Sequence, residues 1–75
     1  MNKARRKEIE RAILVIESVQ LSLESLVDEE QEAFDNLPES IQGSERGDDM
    51  ETAISILEDQ RSNLDDVLNE LGELT

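Results

Sequence analysis

Residues 34–44, FDNLPESIQGS, decide the fold, because they separate two long helical patterns with a proline corner. Proline disfavours helical geometry at the residue before it, so a helix that arrives from the N-terminal side should end near Asn36. The residues around Pro38 then predict one short capped turn that continues to Gln42 and is closed by Gly43. The chain should therefore turn back on itself here.

A second helix begins after this corner. Ser44 is a good N-cap residue, and the acidic residues that follow it suit the positive end of a helix dipole. Asp48 with Glu51 offers a competing capping box, which would start the helix later. We expect the first helix over about 3–35, the corner over 36–43 and the second helix over about 44–74.

Apolar residues recur at steps of three and four on both sides of the corner, as the buried face of a helix requires. In the first helix Gln20 and Glu30 interrupt this seam. The members expected in the first helix are Ile9, Ala12, Ile13, Ile16, Val19, Leu23, Leu26, Val27, Ala33, Phe34 and Leu37. Those expected in the second are Met50, Ala53, Leu57, Gln60, Leu64, Val67, Leu71 and Leu74.

The fold class that follows is all-α. The chain has one aromatic residue, Phe34, whereas strands draw on aromatic and β-branched residues at alternating positions. A short corner forces two long helices antiparallel, so residues 1–75 should form a single helical-hairpin domain. Each helix would be roughly 45–50 Å long.

A lone hairpin of 75 residues is a marginal domain, and small scaffolds usually need a disulfide, a metal or a partner chain. The chain has no Cys and no His, which leaves the partner chain. Leu14, Val15 and Leu21 lie off the first seam and form the candidate dimer face. We expect a homodimer that builds a four-helix bundle.

Charge is distributed unevenly. Residues 1–11 carry a net charge of +3 and residues 12–75 one of −16. Lys3, Arg5, Arg6 and Lys7 should pair with the acids at the end of the antiparallel second helix, namely Asp65, Asp66, Glu70 and Glu73. The alternative is that this basic segment is a tail that binds RNA or lipid. A net charge of −13 disfavours direct binding of nucleic acid and anionic membrane, and it attracts basic partners.

The acidic surface around the corner has two interpretations, a solvated face that keeps the protein soluble or a mimic of DNA phosphates. In the second, the chain would block the basic groove of a host defence or repair protein that binds nucleic acid. The candidate interaction surface consists of Asp28, Glu29, Glu32, Glu45, Asp48 and Asp49.

The sequence lacks the residues that several functional classes require. There is no Gly-rich phosphate loop, no Cys or His pair and no EF-hand loop, so we assign no catalytic, cofactor or metal residues. The longest apolar run, residues 12–16, is far shorter than the roughly 20 residues of a membrane span, and it is not followed by a signal-peptide cleavage site. We expect a cytoplasmic protein.

The corner also resembles a known group of proteins. DEEQEAFDNLPESIQ at residues 28–42, followed by SERG at residues 44–47, is similar to a stretch shared by small, acidic helical proteins of phages and prophages. The resemblance implies a phage origin, and hence the host cytoplasm, and a fold rather than an activity. In structural terms Phe34 and Leu37 would plug the closed end of the hairpin. The remaining corner residues, Asn36, Pro38 and Ser44, would set its turn and caps.

A second resemblance concerns catalysis. Glu29-x-x-Glu32 and Glu45-x-x-Asp48 look like the paired acidic motifs of the all-α nucleotide pyrophosphatases related to MazG, whose carboxylates hold Mg²⁺ against a triphosphate. With 20 acids in the chain, such spacings also arise by chance. Because Phe34 is the only aromatic residue and Arg46 the only basic residue near the motifs, too few to stack a base and hold a triphosphate, we rank this reading third and expect no enzyme activity.

Overall fold

A computed structural model describes all 75 residues, and they form three helices and no strands. Helix α1 spans Lys3–Asp35, the one-turn helix α2 spans Glu39–Gln42, and α3 spans Glu45–Gly72. The two long helices pack against each other, which confirms the prediction of an all-α fold. The molecule is a thin rod of 58 × 15 × 12 Å.

Helix α1 begins and ends at polar caps. The Asn2 side-chain oxygen accepts a hydrogen bond from the backbone N–H of Arg5 at 2.8 Å, so one of the unpaired donors at this helix end is satisfied. At the other end, the N–H of Asn36 donates to the carbonyls of Glu32 and Phe34. The helix thus ends at Asp35 with its C-cap at Asn36, two residues before Pro38, where the proline is expected to stop it.

The corner is built from local hydrogen bonds. Pro38 precedes α2 in an extended conformation, and its carbonyl accepts from the N–H groups of Ile41 at 2.8 Å and Gln42 at 3.0 Å. The Gln42 side-chain amide then donates back to the carbonyls of Phe34 at 3.2 Å and Leu37 at 3.1 Å. Gln42 therefore caps the end of α1 from across the corner.

Ser44 occupies the N-cap position of α3, but its side chain does not cap the helix. Its hydroxyl donates instead to the carbonyl of Ile41, which ties the start of α3 to the short helix before it. Gly43 has a φ of −85°, so the corner closes without a left-handed residue. Any residue could adopt this backbone conformation.

The seam between α1 and α3 alternates steps of four and three without a break. The inward residues of α1 and the segment after it are Ile9, Ile13, Ile16, Gln20, Leu23, Val27, Glu30, Phe34 and Leu37, all buried or half-buried. Those of α3 are Gly47, Met50, Ile54, Leu57, Arg61, Leu64, Leu68 and Leu71.

The expected seams are wrong in both helices. In α1 the expected members Ala12, Val19, Leu26 and Ala33 are exposed, and Gln20 and Glu30 lie in the seam rather than interrupting it. The seam expected for the second helix is wrong at three positions. Gln60, Val67 and Leu74 are exposed. The seam contains Ile54, Arg61 and Leu68 instead, each of which directly follows an expected member. The physical reason is local. Ala53 and Ile54 are consecutive, and the larger Ile54 takes the inner position. Gln60 and Val67 give way in the same manner to the residues that follow them, while Leu57, Leu64 and Leu71 stay in the seam.

The core of this rod is thin. Val27 and Ile54 are the buried hydrophobic residues, each 8% exposed, and Gly47 is the third buried residue. The other seam residues are half-buried because two helices cover only one stripe of each other. Much apolar surface therefore stays on the outside of the hairpin.

Candidate interaction surfaces

A polar layer crosses the seam halfway along the rod. The side-chain amide of Gln20 donates to the backbone carbonyl of Arg61 at 3.3 Å and to the carboxylate of Asp65. The guanidinium of Arg61 in turn lies 3.8 Å from the carboxylate of Glu24. These contacts join residues whose numbers add to about 85, which defines the antiparallel register of α1 and α3.

One long edge of the hairpin is acidic. Around the polar layer, Glu17, Leu21, Glu24 and Asp65 line a shallow hollow together with Gln20 and Arg61. The acids here directly follow seam residues, and the same position is acidic in the preceding repeats of both helices, whereas the following repeats have Gln31 and Gly72 there. We call this set the acidic edge, and it consists of Glu10, Glu17, Glu24, Glu51, Glu58 and Asp65.

The opposite side of the hairpin is apolar. Its residues directly precede seam residues, and Leu74 lies two helical turns after one of them, at Val67. They therefore share the other flank of each helix. Six large hydrophobic residues there are exposed, from 40% at Val67 to 59% at Val15. We call this surface the apolar face, and its members are Ala12, Val15, Val19, Leu26, Ala33, Ala53, Ile56, Val67 and Leu74.

The candidate dimer residues do not form one patch. Leu14 and Leu21 are seven residues apart and lie on the same flank of α1, beside Glu17 and Glu24 of the acidic edge. Val15 lies about 100° further around the helix, on the side of the apolar face. All three side chains are exposed.

The candidate acidic residues near the corner are all exposed, and they point in different directions. Helical spacing places Asp28 and Asp48 toward the acidic edge, and it places Glu29 and Asp49 toward the apolar face. Glu32 and Glu45 lie on the outer backs of their helices. The six carboxylates thus surround the closed end of the rod and form no single row.

Arg46 is the one cation at this end. It lines a hollow with Glu30, Glu45 and Asp49, next to Met50 and Ala53. Arg46 makes no salt bridge within 4.0 Å, since the two salt bridges of the chain are Arg11–Glu8 and Arg61–Glu24. The hollow is an open surface feature between helix ends, without the enclosed polar groups of a ligand site.

The paired acidic motifs do not build a metal site. No group of three or more carboxylates in the chain is placed to hold a metal ion, so Glu29, Glu32, Glu45 and Asp48 do not converge. The geometry gives the pyrophosphatase hypothesis no support. Separately, no helix has the length and apolar character needed to span a bilayer.

The charge pairing expected at the open end of the hairpin is absent. Lys3, Arg5, Arg6 and Lys7 form no salt bridge with the acids at the end of α3, and Arg11 pairs with Glu8 of its own helix. The expectation was wrong because these side chains lie mostly off the seam, where no contact holds long, solvated chains together. Four cations are therefore left without a salt-bridge partner.

The corner residues meet the sequence expectation only in part, because neither Ser44 nor the start of α2 at Pro38 has the side-chain cap that the sequence predicts. Phe34 and Leu37 are half-buried members of the seam at the closed end, while Asn36 is the C-cap of α1. Sequence analysis missed the roles of Gln42 and Arg61. The regular four–three spacing of the seam could have found Arg61, because that spacing passes through residue 61, whereas Gln42 acts through a contact that spacing does not reveal.

Comparison with models of protein families, with curated proteins and with solved structures gives no match to the chain.

Proposed function

We propose that this chain is a self-associating helical protein that works through protein–protein contacts and has no catalytic site. Its working form is a homodimer in which two hairpins make a four-helix bundle. The resemblance of its corner to phage and prophage proteins supports a phage origin and a place in the host cytoplasm. The observation that carries the proposal is the exposed apolar surface, since only two hydrophobic residues of the hairpin are buried.

The surface area agrees with this proposal. A folded monomer of 8.5 kDa should have an accessible surface of about 4,700 Å². The hairpin has 5609 Å², an excess of about 900 Å². A standard interface buries about 800 Å² on each partner, so a single dimer contact would remove the excess.

Sedimentation equilibrium and thermal unfolding over a range of concentrations test the proposal. We expect a dimer mass at micromolar concentration and a melting temperature that rises with protein concentration, because association stabilises only the folded chain. A monomer mass at all concentrations up to about 100-fold above this range, with a constant melting temperature, would refute self-association.

A second candidate function is supported by the acidic edge. Six carboxylates follow this side of the rod, and apart from the basic residues near Glu10 the only cation beside them is Arg61, which suits a protein that occupies the basic groove of a nucleic-acid-binding host protein. In a competition assay, the chain would displace duplex DNA from a basic DNA-binding protein, and added salt would abolish the displacement.

A matched pair of variants makes this competition assay specific. Changing Glu17, Glu24 and Glu58 to Gln should weaken the displacement, whereas the same number of changes at Glu32, Glu70 and Glu73, outside the acidic edge, should weaken it less. Equal losses from both sets would show that only net charge matters. No displacement at low salt would reject the mimic.

A further inference from the structure

The apolar face carries no charged residue along its middle, and Glu29, Asp49 and Glu70 lie toward it only near its two ends. On this side of α1 no charged residue lies between Ala12 and Leu26, and on α3 none lies between Ala53 and Val67. Yet 36% of the residues in the chain are charged. The surface is also continuous, because residues of the two helices at the same level of the rod lie side by side.

The spacing on this face has a two-fold pattern. Along α1 the positions that border the seam are Ala12, Val19, Leu26 and Ala33, so the order is small, large, large, small. A two-fold axis between Val19 and Leu26 would place Val19 against the partner's Leu26 and Ala12 against the partner's Ala33.

Helix α3 has the same spacing at the same level, but its order is small, polar, large, large. Its corresponding positions are Ala53, Gln60, Val67 and Leu74, with their midpoint between Gln60 and Val67. The antiparallel register set by the polar layer brings this midpoint next to the midpoint of α1. The same axis would therefore place the small Ala53 against the partner's Leu74, and it would serve both helices at once.

Resting on the proposed self-association, we propose that a second copy of this chain covers the apolar face in an antiparallel orientation. The closed corner of each hairpin lies beside the open end of the other, and α1 packs on α1 of the second copy. The interface is formed by Val15, Val19, Leu26, Ile56, Val67 and Leu74, with the three alanines between them.

Charge selects this orientation over the parallel one. Residues 28–51 around the corner hold ten acids and Arg46, a net charge of −9, whereas residues 1–11 carry +3. A parallel dimer places the two acidic corners together. An antiparallel dimer places the unpaired Lys3, Arg5, Arg6 and Lys7 of each chain beside the acidic corner of the other. Even with the four acids at the end of α3, the open end has a net charge of only −1.

Charge also excludes the flank with Leu14 and Leu21. These two leucines are the most exposed of the large hydrophobic residues, at 68% and 66%, but they lie beside the acidic edge. Two copies that met there would bring twelve carboxylates together. Like charges facing each other in a contact are destabilising, so the uncharged face is the better interface.

A matched pair of double variants tests the face. Val19→Glu with Leu26→Glu places four carboxylates in the two central layers of the dimer, and we expect the dissociation constant to rise about 100-fold or more. Leu14→Glu with Leu21→Glu adds the same charge to the same helix outside the interface, and should change the constant by less than about 5-fold. Because Glu is a good helix former and these positions are exposed in the hairpin, helicity should persist in both.

Distances between spin labels test the orientation, and the absence of Cys allows single labels on the native chain. With a label at Ser40→Cys on the corner, the antiparallel dimer gives a separation of more than about 40 Å, and a parallel dimer less than about 25 Å. A label at Ser25→Cys, near the middle of the rod, gives a short distance in either orientation and so reports dimerisation itself.

The outcomes separate the two proposals. A monomer mass without a short distance at Ser25 rejects self-association and this interface together. A dimer with a short distance at Ser40 keeps self-association and overturns the antiparallel orientation. A dimer that is broken by the Leu14 and Leu21 changes, and not by those at Val19 and Leu26, overturns the apolar face as the interface. If the native chain stays monomeric but binds an unrelated apolar helix, the second copy is the wrong occupant.

Discussion

Gly47 is the point of closest approach between the start of α3 and the corner. It is a buried seam residue, and a Cβ atom placed there would overlap the carbonyl oxygen of Gln42 and lie 2.6 Å from its carbonyl carbon. The contact is with backbone, which cannot rotate away as a side chain can. A glycine within the first turn of α3 has an intrinsic cost, and this approach explains its presence.

Gly47→Ala should therefore destabilise the protein, by about 1–3 kcal/mol, because the corner must shift to admit the methyl group. Gly72→Ala is the matched control. Nothing lies within 4 Å of a Cβ at Gly72, so an alanine at this end of α3 should be neutral or stabilising by up to about 1 kcal/mol. Thermal or urea unfolding at one fixed protein concentration measures both. Equal stability of the two variants would show that the corner yields easily at Gly47.

At the scale of the helix pair, the polar layer of Gln20 and Arg61 limits how α1 and α3 can align. A polar residue in an otherwise apolar seam usually sets register at a cost in stability. Here the Gln20 amide donates to two acceptors on α3, and the Arg61 guanidinium lies 3.8 Å from Glu24 of α1, so the layer joins both helices at mid-length. A slip of one helix by a heptad would separate Gln20 from its acceptors on Arg61 and Asp65.

Replacing the layer with the pair Gln20→Leu and Arg61→Leu should raise the stability of the hairpin by about 1–2 kcal/mol, because two leucines gain partial burial in the seam. The same change should loosen the specificity of assembly, so that sedimentation detects species larger than a dimer. The single change Gln20→Leu is the control, since it leaves Arg61 to mark the register. A less stable double variant would mean that the polar contacts contribute more than the leucines.

Much of this level of structure could be predicted from the residues. Pro38 marks the end of α1, the three–four spacing shows two amphipathic helices, and the short corner forces them antiparallel. Which residues lie on each flank of the hairpin could not be predicted, because this depends on whether Ala53 or Ile54 points into the seam. The two are consecutive and only about 100° apart around the helix, so the three–four spacing allows either. The apolar face became visible only once Ile54 was fixed inside and Ala53 was placed on the flank.

The candidate interaction surfaces were harder to predict for the same reason. Leu14, Val15 and Leu21 were grouped because all three lie off the seam, but lying off the seam does not specify a flank. The ion pairs expected between Lys3, Arg5 and the end of α3 were inferred only from the closeness of the two chain ends. Ion pairs between exposed side chains contribute little free energy, so closeness alone does not predict that they form.

At the scale of the whole molecule, the rod shape allows its net charge to be expressed per unit length. The hairpin carries 13 net negative charges over 58 Å, one per about 4.5 Å. The proposed antiparallel dimer keeps nearly the same length and doubles the charge, to one per about 2.2 Å. Duplex DNA has one per about 1.7 Å, so the dimer rather than the single hairpin has the charge density that a mimic of DNA requires. The two candidate functions are therefore compatible with one assembly.

The corner also has a consequence for the order in which the chain folds. Its contacts join residues that are close in sequence, from Gln42 to Leu37 and Phe34, five and eight residues away, whereas the polar layer joins Gln20 to Asp65 over 45 residues. Closing a short loop costs less entropy than closing a long one. We therefore expect the two helices to associate first near Pro38 and then progressively toward the two termini. The open end, where both termini lie, closes last during folding and opens first during unfolding.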